Sequence, residues 1–407
     1  MSTAAPEFVV PREQFPSWAF LRLSKRSSAD LQSPAAHTVS FFWARNAIYH
    51  TLQALAIPAE ARVLLPAYLC RAAVEPFEFF GATVEFYSVD RYCQPDFSEL
   101  EAKLTPQTKA LLVCHYFGFP QRIEQFRVLC DRKGIALIED CAHVLMGSYQ
   151  GRPLGSFGDA SVFSRRKFLP IYDGGELWLN SSGAALVPKW EDERMLFTLK
   201  VAKSLFDRTV ENSSSVLAKS FSWTIESLKS AAKRLRRKSG DVPLFALDSN
   251  QATFDPSLIH QPMSRVSRWL QSHSDVKAIV EARRRNFRFF LEHLRDLPGV
   301  SPVYKALPDT ICPWIFPVIF ESLPDAHLRL QEEGVPAANW AGVRPPALRV
   351  GSFPETDWIY DHLVFLPVHQ NLGSDALDFI ARAVHRVSAP AKSKPRITAL
   401  APSVKIA

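Results

Sequence analysis

The sequence predicts an α/β protein in which a large domain, built on a mainly parallel sheet covered by helices, precedes a smaller α+β domain. Short apolar runs alternate with helical patterns from about residue 36 to 180. Runs that are apolar on both faces indicate strands of a sheet with helices on each side. The length of 407 residues, with 47% hydrophobic and 22% charged residues, suits a globular chain with more than one core.

Five apolar runs are expected to form the strands of the large domain. They are VLLPAY at 63–68, TVEFYSV at 83–89, ALLVCHYF at 110–117, IALIED at 135–140 and ASVFS at 160–164. Helical patterns lie between them at 98–104 and 122–134, and the second ends at Gly134, a residue type that commonly closes a helix. Because ligands bind at the carboxyl ends of parallel strands, the polar residues that end these runs are candidates for a site.

The second half of the chain has a different pattern. Residues 190–260 are rich in Ser and Lys and indicate a connecting helical region, whereas a long helical pattern at 264–297 opens the smaller domain. That domain continues with strand-like runs at 313–320 and 364–368, separated by a helix near 325–333. We predict four parts: an N-terminal segment at 1–35, a large domain at 36–260 with a helical, basic region at 190–250, a small domain at 261–388, and a disordered tail at 389–407.

The charge pattern favours anionic partners without choosing among them. Much of the net charge of +7 lies in a basic run at 233–238 and in the tail. The helical pattern at 222–238 indicates a helix packed on the protein with a solvated basic face, in preference to one that lies on anionic lipid or grips a nucleotide diphosphate. No nucleic-acid-binding motif accompanies the charge, so nucleic acid is not an expected partner.

The compartment is predicted to be the cytoplasm. No run reaches the roughly 18 apolar residues that a membrane-spanning helix needs. The first residues lack the basic-then-apolar pattern of a signal peptide. Six cysteines are scattered without CxxC pairs, so neither a disulfide framework nor a metal site such as zinc is expected.

The strongest chemical signal lies around Lys167. This lysine follows a buried strand and has Arg165 and Arg166 beside it, so burial and cationic neighbours are both expected to lower its pKa, as a covalent amine catalyst requires. Asp140 ends a neighbouring apolar strand, where a carboxylate could pair with the protonated ring nitrogen of a pyridine cofactor. Taken alone, each residue has a plainer explanation: a solvated lysine, a helix N-cap aspartate and, for His143, a core histidine.

An ordered set of motifs surrounds this lysine. In chain order they are Glu139-Asp140-Cys141-Ala142-His143, a glycine-spaced loop from Gly151 to Asp159, Phe163-Ser164, Lys167 and Asp173-Gly174-Gly175. Further matching segments lie at 43–55, 64–90, 104–120 and 365–372. The set resembles the DegT/DnrJ-type sugar aminotransferases, over about residues 36–388.

The resemblance implies an aspartate aminotransferase-like fold of the pyridoxal phosphate (PLP) enzymes, with pyridoxal 5'-phosphate as cofactor of the large domain. It makes Lys167 the Schiff-base lysine and Asp140 the partner of the pyridine nitrogen. His143 stands where the family usually has a glutamine, near the phenolic oxygen of the cofactor, and an imidazole can still donate a hydrogen bond there.

A phosphate site is implied by the same resemblance. Ser164 would bind the phosphate together with Asn46 and Ala47, because a helix that starts near Asn46 would point free amides and its positive end at the anion. Two residues separate Ser164 from Lys167, where the family more usually has four.

Two further departures concern the surroundings of the cofactor. Cys70 stands where the family often has an aromatic residue stacked on the cofactor ring, and Tyr68 is a candidate to replace it. The N-x-R-M motif, through which a second subunit reaches the phosphate, corresponds to His260-Gln261-Pro262-Met263. His260 or Arg265 would then have to supply the missing contact.

The leading hypothesis is a homodimeric aminotransferase that moves an amino group from a glutamate-like donor to a nucleotide-linked keto sugar, in surface polysaccharide or secondary-metabolite biosynthesis. Lys167 would also be the base that moves a proton on the substrate. Two alternatives stay open. A PLP-dependent sugar dehydratase or lyase is opposed by Lys167, because the dehydratase branch has a histidine there. A catalytically silent regulator that retains the fold is favoured by the altered 260–263 segment.

Overall fold

The computed structural model describes residues 10–22, 31, 33–35, 37–181, 186, 188–190, 195–212 and 254–389. The basic helix predicted at 222–238 and the tail from residue 390 lie outside the described residues, as do parts of the N-terminal segment. The central sheet and the elements of the smaller domain all lie inside them.

A seven-stranded sheet forms the centre of the N-terminal half. The strands of this half are β1 (His37–Phe41), β2 (Arg62–Pro66), β3 (Thr83–Tyr87), β4 (Thr108–Cys114), β5 (Ala136–Cys141), the hairpin β6 (Ser148–Tyr149) and β7 (Arg152–Pro153), β8 (Ala160–Ser164) and β9 (Gly175–Leu179). The order across the sheet is β1-β9-β8-β5-β4-β2-β3. Strands β2, β3, β4, β5 and β8 pair in parallel, and β9 is antiparallel to β1 and β8. The predicted mainly parallel, mixed sheet is confirmed.

The five predicted apolar runs coincide with the parallel strands, whereas β1 and β9 come from segments without such a run. The sequence of β1, HTVSF, has no apolar run, and only its last residue is fully buried. Strand β9 opens with Gly175 and Glu176, which interrupt its apolar character in the sequence. Both strands extend the sheet beyond β8, beside the segment that carries Lys167.

Helices of the N-terminal half pack against this sheet. They are α1 (Ala44–Ala54), α2 (Arg71–Phe80), α3 (Phe97–Lys103) and α4 (Ile123–Lys133), whereas α5 (Met195–Asn212) contacts the helix at Arg265–His273. Helices α3 and α4 confirm the two helical patterns predicted between the strands. Helix α4 ends at Gly134 in the left-handed conformation, with φ of 64°, which glycine adopts without the steric cost of a Cβ.

The C-terminal part forms a second, smaller sheet with its own helices. Its elements are α6 (Arg265–His273), α7 (Val276–Leu294), β10 (Val300–Pro302), β11 (Ile315–Phe320), α8 (Ala326–Glu332), α9 (Pro354–His362), β12 (Leu363–Pro367) and α10 (Ser374–Ser388). The strands pair antiparallel in the order β10-β11-β12. The helical pattern predicted at 264–297 forms two helices, because Ser274 is extended (ψ of 136°) and the Asp275 carboxylate caps a new helix by accepting from the Ala278 amide at 3.1 Å.

One buried apolar cluster runs from the large sheet into the smaller one. It joins Phe77 on α2 and Leu111 on β4 to Phe287 on α7 and Phe316 on β11. Among the described residues, no helix combines the length and the apolar character that crossing a membrane would require. The two sheets therefore share a continuous core, and the carboxyl ends of β5 and β8 open toward α1, α2 and the start of β11.

Candidate active site

A cavity of about 290 Å³ lies at the carboxyl ends of β5 and β8. The predicted residues Asp140, His143, Ser164 and Lys167 all line it. The N-terminal ends of α1 and α2 form one wall, and two tryptophans of the C-terminal part, Trp314 and Trp340, form another. The structure thus brings four of the predicted site residues together from two segments of the chain, the end of β5 and the end of β8.

Lys167 ends a three-residue 3₁₀ turn, Arg165–Lys167, that follows β8 directly. Its Nζ lies 4.5 Å from the centroid of the Trp314 ring. Burial lowers the pKa of Lys167 from its ordinary value, and the charge of Arg166 lowers it further, against the opposing effects of Cys70 and Asp140. A lysine with a lowered pKa holds more neutral amine at neutral pH, which is the nucleophilic form.

The two arginines beside Lys167 point into different surroundings. The buried Arg165 donates from Nε to Glu176 at 2.6 Å and from Nη1 to the Leu145 carbonyl at 2.9 Å. Arg166 lines the cavity. Of the two, Arg166 is the one whose charge is among the main causes of the lowered pKa of Lys167. The Glu176 carboxylate neutralises Arg165 inside the sheet.

Asp140 is the penultimate residue of β5 and is 5% exposed. One carboxylate oxygen accepts from the Ala142 amide at 2.9 Å. Burial raises the pKa of Asp140, while the positive charge of Lys167 and the Ala142 hydrogen bond oppose that shift. Asp140 and Lys167 therefore act on each other electrostatically across the cavity.

Glu139, next to Asp140, points to the opposite side of the strand and has a structural role. Its carboxylate accepts from the amides of Gly155, Phe157 and Gly158 at 3.0, 2.7 and 2.6 Å. It also accepts from Nε2 of His115 at 2.9 Å, whose Nδ1 accepts from the Gln121 amide. Glu139, His115 and Cys141 lie close enough together to resemble a metal site. The carboxylate oxygens are already used by these donors, so the cluster holds the glycine loop in place.

His143 is a neutral hydrogen-bond donor in this cavity. Its Nδ1 accepts from the Phe117 amide at 3.2 Å, which places the ring proton on Nε2. The imidazole stacks on Trp314, with ring centroids 4.0 Å apart and planes at 13°. Burial and the charge of Lys167 hold the pKa of His143 well below its ordinary value. The ring is uncharged throughout the neutral pH range.

The N-terminus of α1 lies two residues earlier than the sequence indicated. The helix begins at Ala44, and the amides of Asn46 and Ala47 donate to the Trp43 carbonyl at 3.1 and 3.3 Å. The Asn46 side chain donates to the Leu258 carbonyl. Ala44 and Arg45 line the cavity, whereas Asn46 and Ala47 do not. The geometry does not bring Asn46 and Ala47 to the cavity, because the helix starts before them.

The Asp173-Gly174-Gly175 turn brings this helix end close to Ser164. Gly175 pairs with Ser164 across β8 and β9. A Cβ atom on Gly175 would lie 2.2 Å from the carbonyl carbon of Trp43 and 2.4 Å from the Ala44 amide nitrogen. Only glycine allows this approach, so the turn sets the distance between Ser164 and the first turn of α1.

The segment His260–Met263 packs on β1 of its own chain. The Phe42 amide donates to the Gln261 carbonyl at 3.0 Å, and Phe41 forms a β-bridge with Pro262. His260 lies against His50, with ring centroids 5.3 Å apart. Neither His260 nor Arg265 lines the cavity of the same protomer. Their assignment as a contact to a second subunit stays a prediction.

The aromatic surroundings of the cavity differ from the expectation. Cys70 lines it as predicted, but Tyr68 does not. Tyr68 is fully buried and packs against Trp340 and Tyr360, with ring centroids 4.9 Å away in each case. The hypothesis that Tyr68 replaces the stacking aromatic is therefore wrong. Trp314 and Trp340 supply the aromatic walls. In the sequence, Trp314 is the second residue of the strand-like run at 313–320, and no predicted element contained Trp340.

Sequence comparison finds that the N-terminal part of the chain is similar to a known family. Residues 28–185 match the DegT/DnrJ/EryC1/StrS aminotransferase family. A UDP-N-acetyl-3-dehydro-alpha-D-glucosamine 3-aminotransferase of Acidithiobacillus ferrooxidans is 34% identical over 32% of this chain and 36% of its own length. The GDP-perosamine synthase of Escherichia coli O157:H7 is 35% identical over 33% of this chain and 38% of its own length. The chain thus spans little more than a third of the length of these relatives.

Structural comparison extends the likeness over most of the chain. The aminotransferase TlmJ of Streptoalloteichus hindustanus superposes with a TM-score of 0.61 at 20% identity, over 90% of this chain and 92% of its own. AtS13 of Actinomadura melliaura also has a TM-score of 0.61, at 22% identity over the same shares. Residues 28–185, which include Lys167, therefore match the DegT/DnrJ/EryC1/StrS aminotransferase family by sequence, and the described chain shares the fold of solved structures such as the aminotransferase TlmJ.

Proposed function

We propose that the protein is a PLP-dependent aminotransferase that acts on a keto sugar linked to a nucleotide. One observation carries the proposal: the Lys167 amine and the Asp140 carboxylate line the same cavity, and each shifts the pKa of the other. The named relatives, a UDP-sugar aminotransferase and a GDP-perosamine synthase, support the substrate class.

The residues of the cavity fit PLP and have separate roles toward it. Bound PLP supplies an electron sink for amino transfer. Lys167 would hold it covalently and would accept and return a proton at Nζ, for which its lowered pKa is suited. The Asp140 carboxylate would keep the ring nitrogen of the cofactor protonated, and neutral His143 could donate a hydrogen bond to the cofactor from Nε2. The Trp314 and Trp340 rings line this side of the cavity, and the Lys167 amine lies over the Trp314 ring.

Replacement of Lys167 tests the covalent role. Wild-type protein incubated with PLP should show a visible absorption band, and borohydride should fix the cofactor on the peptide that contains Lys167. Lys167→Ala and Lys167→Arg should lose both signals and at least about 10³-fold in turnover, because neither side chain offers a neutral primary amine. Lys109→Arg is the matched control, since Lys109 is exposed and bonds only to the Pro106 carbonyl among the described residues. Attachment at another lysine would contradict the assignment.

The same preparation distinguishes amino transfer from its alternatives. With ¹⁵N-labelled glutamate and UDP- or GDP-linked keto sugars, the label should appear in the sugar product. Product without the label would indicate a dehydratase or lyase. PLP bound at Lys167 without turnover of any donor would indicate a silent relative.

We further propose that the protein works as a homodimer. Large apolar side chains on the described surface support this, among them Trp18 at 83% and Trp269 at 53% exposure. Contact with a second copy would also give His260 and Arg265 a place near a neighbouring cavity.

A further inference from the structure

Two arginines line the cavity beside Ser164. Arg45 is the second residue of α1 and is 7% exposed, and its guanidinium carbon lies 4.7 Å from the centroid of the Trp43 ring. Arg166 occupies the turn between Ser164 and Lys167. The indole fixes Arg45 against the first turn of the helix, and the turn fixes Arg166 beside the lysine.

The backbone brings these groups to one end of the cavity. Ser164 pairs with Gly175, and Gly175 touches the Trp43 carbonyl and the Ala44 amide. The backbone of Gly175 therefore lies between Ser164 and the first turn of α1. The positive end of an eleven-residue helix, a serine and two guanidiniums therefore meet on one wall.

The positive charges of Arg45 and Arg166 repel each other. Burial lowers the pKa of Arg45 to about 10, and the positive charge of Arg166 is the next cause. Burial also lowers the pKa of Arg166, partly offset by Glu13. Asp140 is the only acidic residue among those that line the cavity, and it faces Lys167. A dianion on this wall would relieve the repulsion.

We propose that Arg45 and Arg166 bind a phosphate monoester from within one protomer, together with Ser164 and the N-terminus of α1. The inference rests on the proposed function and assigns this phosphate to PLP. It also accounts for Pro262, which stands where the resemblance implies an arginine from a second subunit. The chain supplies the positive charge from its own cavity.

The test compares PLP with pyridoxal, which lacks the phosphate. The Kd of each is measured by visible absorbance on apoprotein of the wild type, Arg45→Gln, Arg166→Gln and the double variant. Each single variant should raise the Kd of PLP about tenfold or more and leave the Kd of pyridoxal within twofold. Arg45→Lys and Arg166→Lys, which keep the charge, should recover part of the loss. Arg71→Gln is the matched control, because Arg71 lines the same cavity but pairs with Glu75 at 2.5 Å.

A second readout does not need the cofactor. Inorganic phosphate should raise the melting temperature of wild-type apoprotein above that in chloride of equal ionic strength, and the double variant should lose this shift. An unchanged ratio of the PLP and pyridoxal Kd values in the double variant would overturn the inference, as would an equal loss in Arg71→Gln. A higher KM for the nucleotide sugar with an unchanged Kd for PLP would also overturn it, by assigning the arginines to the substrate. If wild-type protein binds neither PLP nor pyridoxal at Lys167, the proposed function fails instead.

Discussion

At the scale of single residues, burial shifts the pKa values of the groups that line the cavity and so sets their protonation states. His143 receives a hydrogen bond from the Phe117 amide on Nδ1 and lies against the Trp314 ring. With its pKa far below the ordinary value, the ring does not titrate near neutrality. The residue offers a constant donor, in contrast to the amine of Lys167, whose lowered pKa makes its charge sensitive to pH.

Substitution of His143 tests this view. In His143→Gln the amide oxygen can accept from Phe117 and the amide nitrogen can donate, so the Kd of PLP should change by less than about threefold. His143→Leu leaves the buried Phe117 amide without its acceptor, and we expect it to lower the free energy of unfolding by about 1–3 kcal/mol in denaturant titrations. A pKa near 6.5 in the wild-type pH–activity profile that disappears in His143→Gln would show that the ring does titrate.

At the scale of elements, one close contact sets the geometry of the phosphate end. Strand β9 passes so near α1 that Gly175 has no room for a side chain. The neighbouring Asp173 holds the turn from the other side, because it accepts from the Ser264 amide at 2.6 Å and from its hydroxyl at 2.7 Å. The acidic-Gly-Gly turn therefore joins the sheet, α1 and α6 at one point.

A methyl group at Gly175 should separate these elements. Gly175→Ala would push the first turn of α1 away from Ser164, and we expect a loss of about 1–3 kcal/mol in unfolding free energy with at least about tenfold weaker PLP binding. Gly373→Ala is the control, since a Cβ there meets nothing within 4 Å and its φ of −84° suits alanine. Equal behaviour of the two variants in denaturant titrations and PLP absorbance titrations would contradict the steric argument.

Much of this arrangement was predictable from the sequence, and the limits have physical causes. Asp140 ends one apolar run and Lys167 lies three residues beyond the end of another, on neighbouring parallel strands, so their proximity follows from sheet geometry. Trp314 reaches the lysine from more than a hundred residues away, through packing that no local pattern encodes. The helix start at Ala44 was missed because the sequence there offers no N-cap side chain: Trp43 stands at that position.

At the scale of the whole molecule, Arg283 on α7 ties distant parts of the chain to the turn of Lys167. This fully buried guanidinium donates to the carbonyls of Lys167 at 3.1 Å and Trp314 at 3.0 Å, and to the side chains of Gln14 at 3.3 Å and Gln370 at 3.1 Å. The N-terminal segment, the large sheet and the smaller sheet therefore meet under the lysine. The domain boundary at residue 260 stays a prediction.

The same region makes stability depend on pH. His369 donates from Nε2 to the Pro11 carbonyl at 3.0 Å, and burial followed by the charge of Arg283 lowers its pKa to about 3. A histidine with a lowered folded-state pKa contributes stability above about pH 6.5, and this is lost progressively as the pH falls toward 3. His143, His50 and His327 shift in the same direction.

His369→Gln should reduce that dependence. The glutamine amide can still donate to Pro11 but does not titrate. Between pH 7 and pH 5, the wild type should lose about 2 kcal/mol more unfolding free energy than the variant. Asp173, whose pKa is raised to about 6, acts in the opposite direction in both proteins and cancels in the comparison. Parallel pH curves from denaturant titrations of the two proteins would show that His369 is not the sensor.

The short turn between Ser164 and Lys167 has a consequence for how this chain can vary. Successive side chains on a 3₁₀ turn leave the axis about 120° apart. The three cations Arg165, Arg166 and Lys167 therefore go to three destinations: a buried glutamate, the cavity wall and the reacting position. Insertion or deletion of one residue would turn each side chain by about 120°, into the position that its neighbour now occupies. Loop length here is as strictly constrained as the identity of the lysine, and a redesign that borrows a longer loop would also have to supply new partners for all three charges.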